Sequence, residues 1–587
     1  MRFQCGARPM NINTDETHFR YSLELIEEKD GVEYIRFVMD TKEARVPKSV
    51  QISWQHPAID ISGYWDPGAN REKGLRMDFS TPFQSKATSL APVCSLYNPE
   101  GQNRLTTAFS DAMRPLRMRA GIHEETAEFE VWLELFTEAC PPIDHYEAVI
   151  RIDTRELFYA DCLREVGQWW ADMPGYTPAF VPDTARLPMY STWYSFHQQL
   201  DPEEIERQCK LAKELGCEAV IVDDGWQTDD NQRGYAYCGD WEVAPKRIAD
   251  MRRLVDHVHA LGMKFILWYS VPFVGKHSKA WSRFEGKFMN SYGVDTAVFD
   301  PRFPEVREYL IGTYEEALRT WGIDGFKLDF VDSFNLSQEM RYSLGGGRDY
   351  DSVPEAVDRL LSDVMLRLKS IHPDVMIEFR QNYIGPLMRK YGNMFRVADC
   401  PNNYSQNRIG SIDIRLLSGN TAVHSDMMMW NWNERPENVA LQFIHSLFSV
   451  PQVSVLIDRV PEAHRQVIAF WLGFWREHRE LLLAGSLRPQ SPEYMYPVVY
   501  ASDSNRLLAA VYSEQIIHID SVERTIFLIV NGTSRDAVVV QLAGQIRGMM
   551  TVLDCTGSEI SNQTIHLQEG LHLFKLPPSG LIRLQQE

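Results

Sequence analysis

The sequence predicts a multidomain α/β protein: a central (β/α)8 TIM barrel with an N-terminal β-sandwich and a C-terminal antiparallel β domain. Three observations carry this. Between residues 184 and 483, eight short apolar runs alternate with amphipathic stretches of helical period, the pattern and approximate length of such a barrel. Residues 1–183 show short alternating segments broken by Pro, Gly and Asn, and residues 484–587 return to that pattern. A chain of 587 residues exceeds one ordinary hydrophobic core, so a division into 1–183, 184–483 and 484–587 is expected.

In the first region Tyr34–Met39, Ser49–Trp54 and Ala127–Phe136 alternate as half-buried strands do. The eight barrel runs are Pro188–Tyr194, Ala219–Val222, Lys264–Tyr269, Gly325–Phe330, Val375–Phe379, Met394–Ala398, Thr421–Val423 and Val453–Ile457. Helical patterns over Pro202–Leu215, Lys246–Leu261, Pro304–Trp321, Val353–Ile371, Pro436–Phe448 and Pro461–Arg479 lie between and after them, several opening with Pro in the first turn. An open doubly wound sheet would carry Gly-x-Gly-x-x-Gly after its first strand, and none is present. Tyr496–Ala501, Arg524–Val530, Ala537–Leu542, Met549–Leu553 and Leu571–Leu576 supply the last domain's strands.

A net charge of −20 argues against nucleic acid as partner, because phosphate binding needs clustered Lys and Arg. No apolar run reaches the roughly 18 residues that span a membrane. Nine cysteines without a Cys-x-x-Cys pair suggest free thiols, and the N-terminus lacks the apolar core of a signal peptide, so a cytoplasmic location is expected. A small neutral molecule fits this balance; the sequence leaves homo-oligomerisation open.

Chemistry in such a barrel gathers at the C-terminal strand ends. Five of them are loaded: Asp223-Asp224-Gly225-Trp226, Lys327-Leu328-Asp329, Glu378-Phe379-Arg380-Gln381-Asn382, Arg396-Val397-Ala398-Asp399 and His424-Ser425-Asp426. Trp193, Trp226, Trp241, Trp268, Trp430 and Trp432 lie near the same ends. Carboxylates accept paired hydrogen bonds from vicinal hydroxyls and flat rings cover the C–H face of a pyranose, so the combination points to a carbohydrate site. Each part has a plainer reading: Asp223 and Asp224 as helix caps, Arg396 and Asp399 as a structural ion pair, the tryptophans as packing. His424 and Asp426 lack the neighbours a metal site needs, so neither metal nor cofactor is expected. Along strand 4, alternation aims Lys327 and Asp329 the same way and turns Phe326, Leu328 and Phe330 toward the helices.

These strand ends resemble those of glycoside hydrolase family 36, the melibiase-like α-galactosidases. The resemblance rests on Asp223-Asp224-Gly225-Trp226, Gly239-Asp240-Trp241-Glu242-Val243, Asp300-Pro301, Lys327-Leu328-Asp329 and Ala398-Asp399, in order over roughly residues 185–450. It implies a retaining α-galactosidase acting on small carbohydrates, with Asp329 as nucleophile and Asp399 as general acid and base. It further implies Asp223 and Asp224 around the C4 and C6 hydroxyls, and Lys327 beside the nucleophile. Trp193, Trp226, Trp268, Arg380, Asn382, Arg396 and His424 complete the expected substrate contacts. Lys327 should favour ionised Asp329, whose charge should raise the pKa of Asp399. The chain departs from the family at Trp268-Tyr269-Ser270, at Arg380-Gln381-Asn382-Tyr383 and at Asp399-Cys400-Pro401, positions around C2 and beyond the first sugar. Transfer to a sugar acceptor, action on a related sugar such as N-acetylgalactosamine, and sugar binding without catalysis are the alternatives.

Overall fold

The computed structural model describes residues 1–68, 71–230, 232–336 and 345–586. Eight parallel strands form the central sheet: β1 (Met189–Ser191), β2 (Ala219–Val222), β3 (Lys264–Ser270), β4 (Gly325–Asp329), β5 (Met376–Arg380), β6 (Met394–Arg396), β7 (Ala422–His424) and β8 (Gln452–Val453). Their order is 7-6-5-4-3-2-1-8, and the parallel bridge from His424 to Val450 nearly closes the barrel. The strands are buried on both faces, one against the helices and the other in the barrel interior where Met189, Ile221, Ile266 and Met376 meet, which is why they read as continuous apolar runs.

The helices that position the site are α1 (Pro202–Glu214), α2 (Met251–Ala260), α3 (Pro304–Trp321), α4 (Val353–Ile371), α5 (Tyr404–Arg415), α6 (Pro436–His445) and α7 (Glu462–Glu477). α2 starts five residues later than its apolar pattern, because the Asp250 side chain caps the Arg253 N–H. α3 ends at Gly322, whose left-handed φ of 69° turns the chain into β4. A three-stranded excursion (Phe273–Gly275, Phe288–Ser291 and Thr296–Phe299) separates β3 from α3.

Before the barrel, two antiparallel six-stranded sheets enclose a core that includes Phe37, Met39, Ile52, Trp54, Val131 and Leu133. Val50–Pro57 shows the inward and outward alternation expected of a sandwich. The helix Tyr159–Ala171 buries Tyr159, Leu163, Val166 and Trp170 in the barrel's hydrophobic cluster and not in the sandwich's. After the barrel, a seven-stranded and a three-stranded sheet form the C-terminal β domain.

Both outer domains grip the barrel. On α5, Asp413 is ion-paired to Lys73 (2.8 Å) and accepts bonds from Trp65 Nε1 (3.0 Å) and the Tyr496 hydroxyl. Arg71 donates to Asn403 (2.9 Å) and Gln406 (3.1 Å) at the start of that helix. Among the described residues, no helix is long and apolar enough to cross a membrane.

Candidate active site

Parallel register brings the loaded strand ends level. Lys327 pairs with Trp268 and Glu378, Asp329 with Ser270, Arg380 with Arg396, and Arg396 with His424. Asp329, at the end of β4 and only 6% exposed, uses both oxygens. Oδ1 accepts from Arg380 Nε (2.9 Å), the Phe330 N–H (2.8 Å) and the Tyr383 hydroxyl; Oδ2 accepts from Trp268 Nε1 (3.0 Å). Phe330 adopts a left-handed φ of 65°, which folds its N–H back onto that carboxylate. Burial alone would raise the Asp329 pKa, but the charges of Arg380 and Lys327 and the bonds from Tyr383 and Trp268 hold it well below the usual carboxylate range.

Lys327 makes its contact with Asp223, at 2.6 Å, and acts on Asp329 through charge alone. Asp223 also donates its N–H to Thr192 Oγ1 (2.9 Å) and accepts the Asp224 N–H (2.9 Å). Asp224 accepts from Gln198 Nε2 (2.7 Å) and Gln227 Nε2 (2.6 Å). Burial pushes it up to about 7 against those two bonds, with the Asp223 charge adding to the rise. Gly225 lets this turn close on β1's loop: a Cβ there would lie 2.6 Å from Gln198 Cα, and its φ is 117°.

Asp399 lies in the loop after β6 with its side chain 47% exposed, and Oδ1 accepts from Arg396 Nη2 (2.9 Å). The expected rise of its pKa is overturned. Burial and Asp329 raise it, but Arg396, then Lys327 and Arg380, outweigh them and it is lowered. Arg396 itself is fully buried, gripping Asp426 and Asp399 with Glu378 at 3.4 Å, and so lies beneath the pocket where no sugar reaches it.

The other expected contacts divide. Trp268 offers its indole N–H to Asp329, and half-buried Trp193 stacks 3.8 Å from the His197 ring. Arg380 lies 5.3 Å over both the Phe330 and Tyr383 rings. Phe330 is thus a pocket residue, packed with Tyr235 and Phe273 and not turned to the helical shell. Asn382 is exposed and its carbonyl accepts the Leu90 N–H of the sandwich domain (2.9 Å). Two expectations fail. Trp226 is wholly buried among Trp241, Tyr269 and Trp321, its indole spent on the Trp268 carbonyl (2.8 Å). His424 is wholly buried in the barrel, donating to the Ala185 carbonyl (2.8 Å) and accepting from Gln452 (3.2 Å); burial lowers it to about 4, so it stays neutral.

Sequence reasoning missed Gln198, the bond of Tyr383 to Asp329, and the pairing of Tyr194 with Asp426 at 3.0 Å. Gly225 was the signal for Gln198, because it marks a close backbone approach. Among the described residues, no group of three or more His, Cys, Asp or Glu is arranged to hold a metal ion. What the arrangement offers is one ionised buried carboxylate, one solvent-facing carboxylate and a ring of fixed hydroxyl-binding groups.

Residues 180–383 match the Melibiase family. The α-galactosidase AgaA of Geobacillus stearothermophilus is 28% identical over 200 residues, covering 30% of this chain and 27% of that protein. Mel36A of Lactobacillus acidophilus is 23% identical over 209 residues, covering 33% and 27%. The matched stretch thus spans about a quarter of these relatives' length. In fold the likeness runs end to end: an AgaA variant in complex with stachyose superposes with a TM-score of 0.64 at 14% identity, over 98% of this chain and 86% of that one. The Lactobacillus brevis α-galactosidase gives 0.63 at 12% identity, over 98% and 85%. By its melibiase segment and by its architecture from end to end, the chain is similar to the melibiase-like α-galactosidases of glycoside hydrolase family 36.

Proposed function

We propose that this chain is a retaining α-galactosidase, with Asp329 as nucleophile and Asp399 as general acid and base. The observation that carries the reading is the state of Asp329, buried yet held ionised by Arg380 and Lys327 within electrostatic reach of half-exposed Asp399. In the first half-reaction the Asp329 carboxylate attacks C1 while Asp399, having taken up a proton against the pull of Arg396, gives that proton to the departing glycosidic oxygen. In the second, Asp399 takes a proton from water as the water displaces Asp329 from C1.

Asp223 and Asp224 are suited to the C4 and C6 hydroxyls, since each carboxylate is already fixed by a neighbour and keeps lone pairs for substrate. Half-buried Trp193 offers a ring face and buried Trp268 serves through its indole N–H on Asp329, while Arg380 and Asn382 are assigned to the sugar near C2 by the resemblance. The α-galactosidase relatives, and AgaA's binding of stachyose and raffinose, support the substrate class.

The test is kinetic and stereochemical: aryl α-galactosides and a panel of other aryl α-glycosides, with the anomer of the first product read by NMR. Hydrolysis of the α-galactoside to the α-anomer, abolished in Asp329→Ala, is expected. Inactivity on the whole panel, a β-anomer, or normal turnover by Asp329→Ala would sink the assignment.

A further inference from the structure

Arg396 has no exposed surface, yet three carboxylates converge on it. Nη1 meets Asp426 Oδ1 and the Val397 carbonyl (2.9 Å), Nε faces Glu378 Oε1 at 3.4 Å, and Nη2 donates to Asp399 (2.9 Å). Two of those carboxylates are immobile. Glu378 belongs to β5 and accepts from Gln452 Nε2 (2.6 Å), and Asp426 accepts the Tyr194 hydroxyl (3.0 Å). Hydrogen-bonded to Asp426 on one side and ion-paired with Glu378 on another without a hydrogen bond, the planar guanidinium is restricted in the direction it offers Asp399. Asp426 also accepts the Cys400 N–H (2.6 Å), so the peptide directly after Asp399 is tied to the same clamp. Among the described residues, Asp399 Oδ2 has no protein hydrogen bond, which leaves that oxygen for substrate.

We infer that Arg396, clamped by Glu378 and Asp426, is a positioning residue that fixes the Asp399 carboxylate for proton transfer. This rests on Asp399 being the acid and base proposed above. Proton transfer needs the donor within about 2.6–3.2 Å of the glycosidic oxygen, and a mobile side chain that is half exposed would seldom be there. Burial pushes both Glu378 and Asp426 up against the pull of the Arg396 charge, and Asp399 is the third carboxylate that this charge acts on. The other titratable groups facing Asp399 are Lys327 and Asp329 from β4, Arg380 from β5, Tyr194 from the loop after β1 and its neighbour Cys400. Of the cations, Arg396 acts on Asp399 most strongly.

The experiment compares wild type, Arg396→Lys, Asp426→Asn and Asp399→Ala on two aryl α-galactosides, one with an activated dinitrophenolate leaving group and one with plain phenolate. Folding of each is checked by thermal melting. Arg396→Lys keeps the charge but loses the fork, so kcat/KM for the phenyl substrate should fall by about 10²-fold, the low end of what a general acid contributes. The dinitrophenyl substrate, which needs no protonation, should lose far less. Asp426→Asn removes a competing anion from Arg396, strengthening its hold on ionised Asp399, and the basic limb of the phenyl pH profile should move to lower pH. Equal losses on both substrates in Arg396→Lys, or an unmoved basic limb in Asp426→Asn, would overturn the inference. Asp399→Ala tests the underlying reading separately. If it lacks leaving-group dependence and azide rescue, the acid assignment fails; if it shows both and the Arg396 variant does not, only the inference fails.

Discussion

Lys327 stands two residues before Asp329 on β4, yet its ammonium lies 2.6 Å from Asp223, the residue that follows β2. The strand's own lysine thus locks the Asp223 carboxylate in place, and the bond to Asp329 falls to Arg380 from the neighbouring strand. Asp223→Ala should therefore do two kinds of damage. Breaking a buried pair costs about 3–5 kcal/mol, and the lower end is expected because Asp329 and Glu378 still share the Lys327 charge. Chemical denaturation should show that loss, and KM should rise as one wall of the sugar site goes.

Tyr383 gives Asp329 a hydroxyl bond that phenylalanine cannot. Tyr383→Phe should cost about 1.5–3 kcal/mol of transition-state or ground-state stabilisation, the value of a hydrogen bond to a charged group. Asp329 is depressed in part by this bond, so its removal lets the pKa climb toward the ordinary value. Because the proposed mechanism needs Asp329 ionised to attack, the acidic limb of kcat/KM should move to higher pH. An unchanged acidic limb in a folded variant would refute that role for Tyr383.

Asp224 titrates at about 7 in the folded chain against an ordinary value of 3.8. The folded state therefore keeps a proton that the unfolded chain has released across roughly pH 4 to 7. This stabilising contribution is complete below that window and lost as pH rises through it, by up to about 1.4 kcal/mol per pH unit. Asp224→Asn removes the titration. Its melting temperature should be less sensitive to pH than wild type between pH 5 and 8, and a parallel slope in the two proteins would count against the shift.

At the three-domain junction, Lys73 and Asp413 are 1% and 2% exposed. Lys73→Met leaves the Asp413 carboxylate buried without its cation, although Trp65 and Tyr496 still donate to it. A loss of about 3 kcal/mol is expected from thermal or denaturant unfolding of the full chain. The double variant Lys73→Met with Asp413→Leu should recover much of it, since replacing both partners by apolar groups of similar shape is often close to neutral.

The barrel is legible in the sequence because its strands are buried on both faces and its helices keep apolar stripes; α3 and α4 coincide with their patterns from end to end. Helix α5 is hidden because Ile409, Ile412 and Ile414 are interleaved with buried Asn407, Arg408, Ser411 and Asp413, so no stripe forms. β8 shrinks to two residues where Ser454 leaves the ladder to bond the Ser191 carbonyl (2.6 Å). The carboxylates of the site are legible because strand ends announce them. Their partners are not: Arg380 to Asp329, Lys327 to Asp223 and Tyr383 to Asp329 depend on inter-strand register and loop closure, which no local spacing encodes. Trp226 and His424 misled for the same reason, since a residue at a strand end can turn toward the helices, as Trp226 does against Trp321, or into the barrel, as His424 does.

Asp413 sits on the helix that begins just past the Asp399 loop, and its bonds run to both outer domains. A barrel excised as residues 184–483 would keep β2 and β4, and with them Asp223, Lys327 and Asp329, but lose every tether that its helix α5 has to Lys73, Arg71, Trp65 and Tyr496. On the proposed reading, such a fragment would keep its sugar-binding carboxylates while losing the support of the Asp399 loop. The flanking β domains are in that sense the outer casing of the Asp399 loop, and the proposed activity draws on all three parts of the chain.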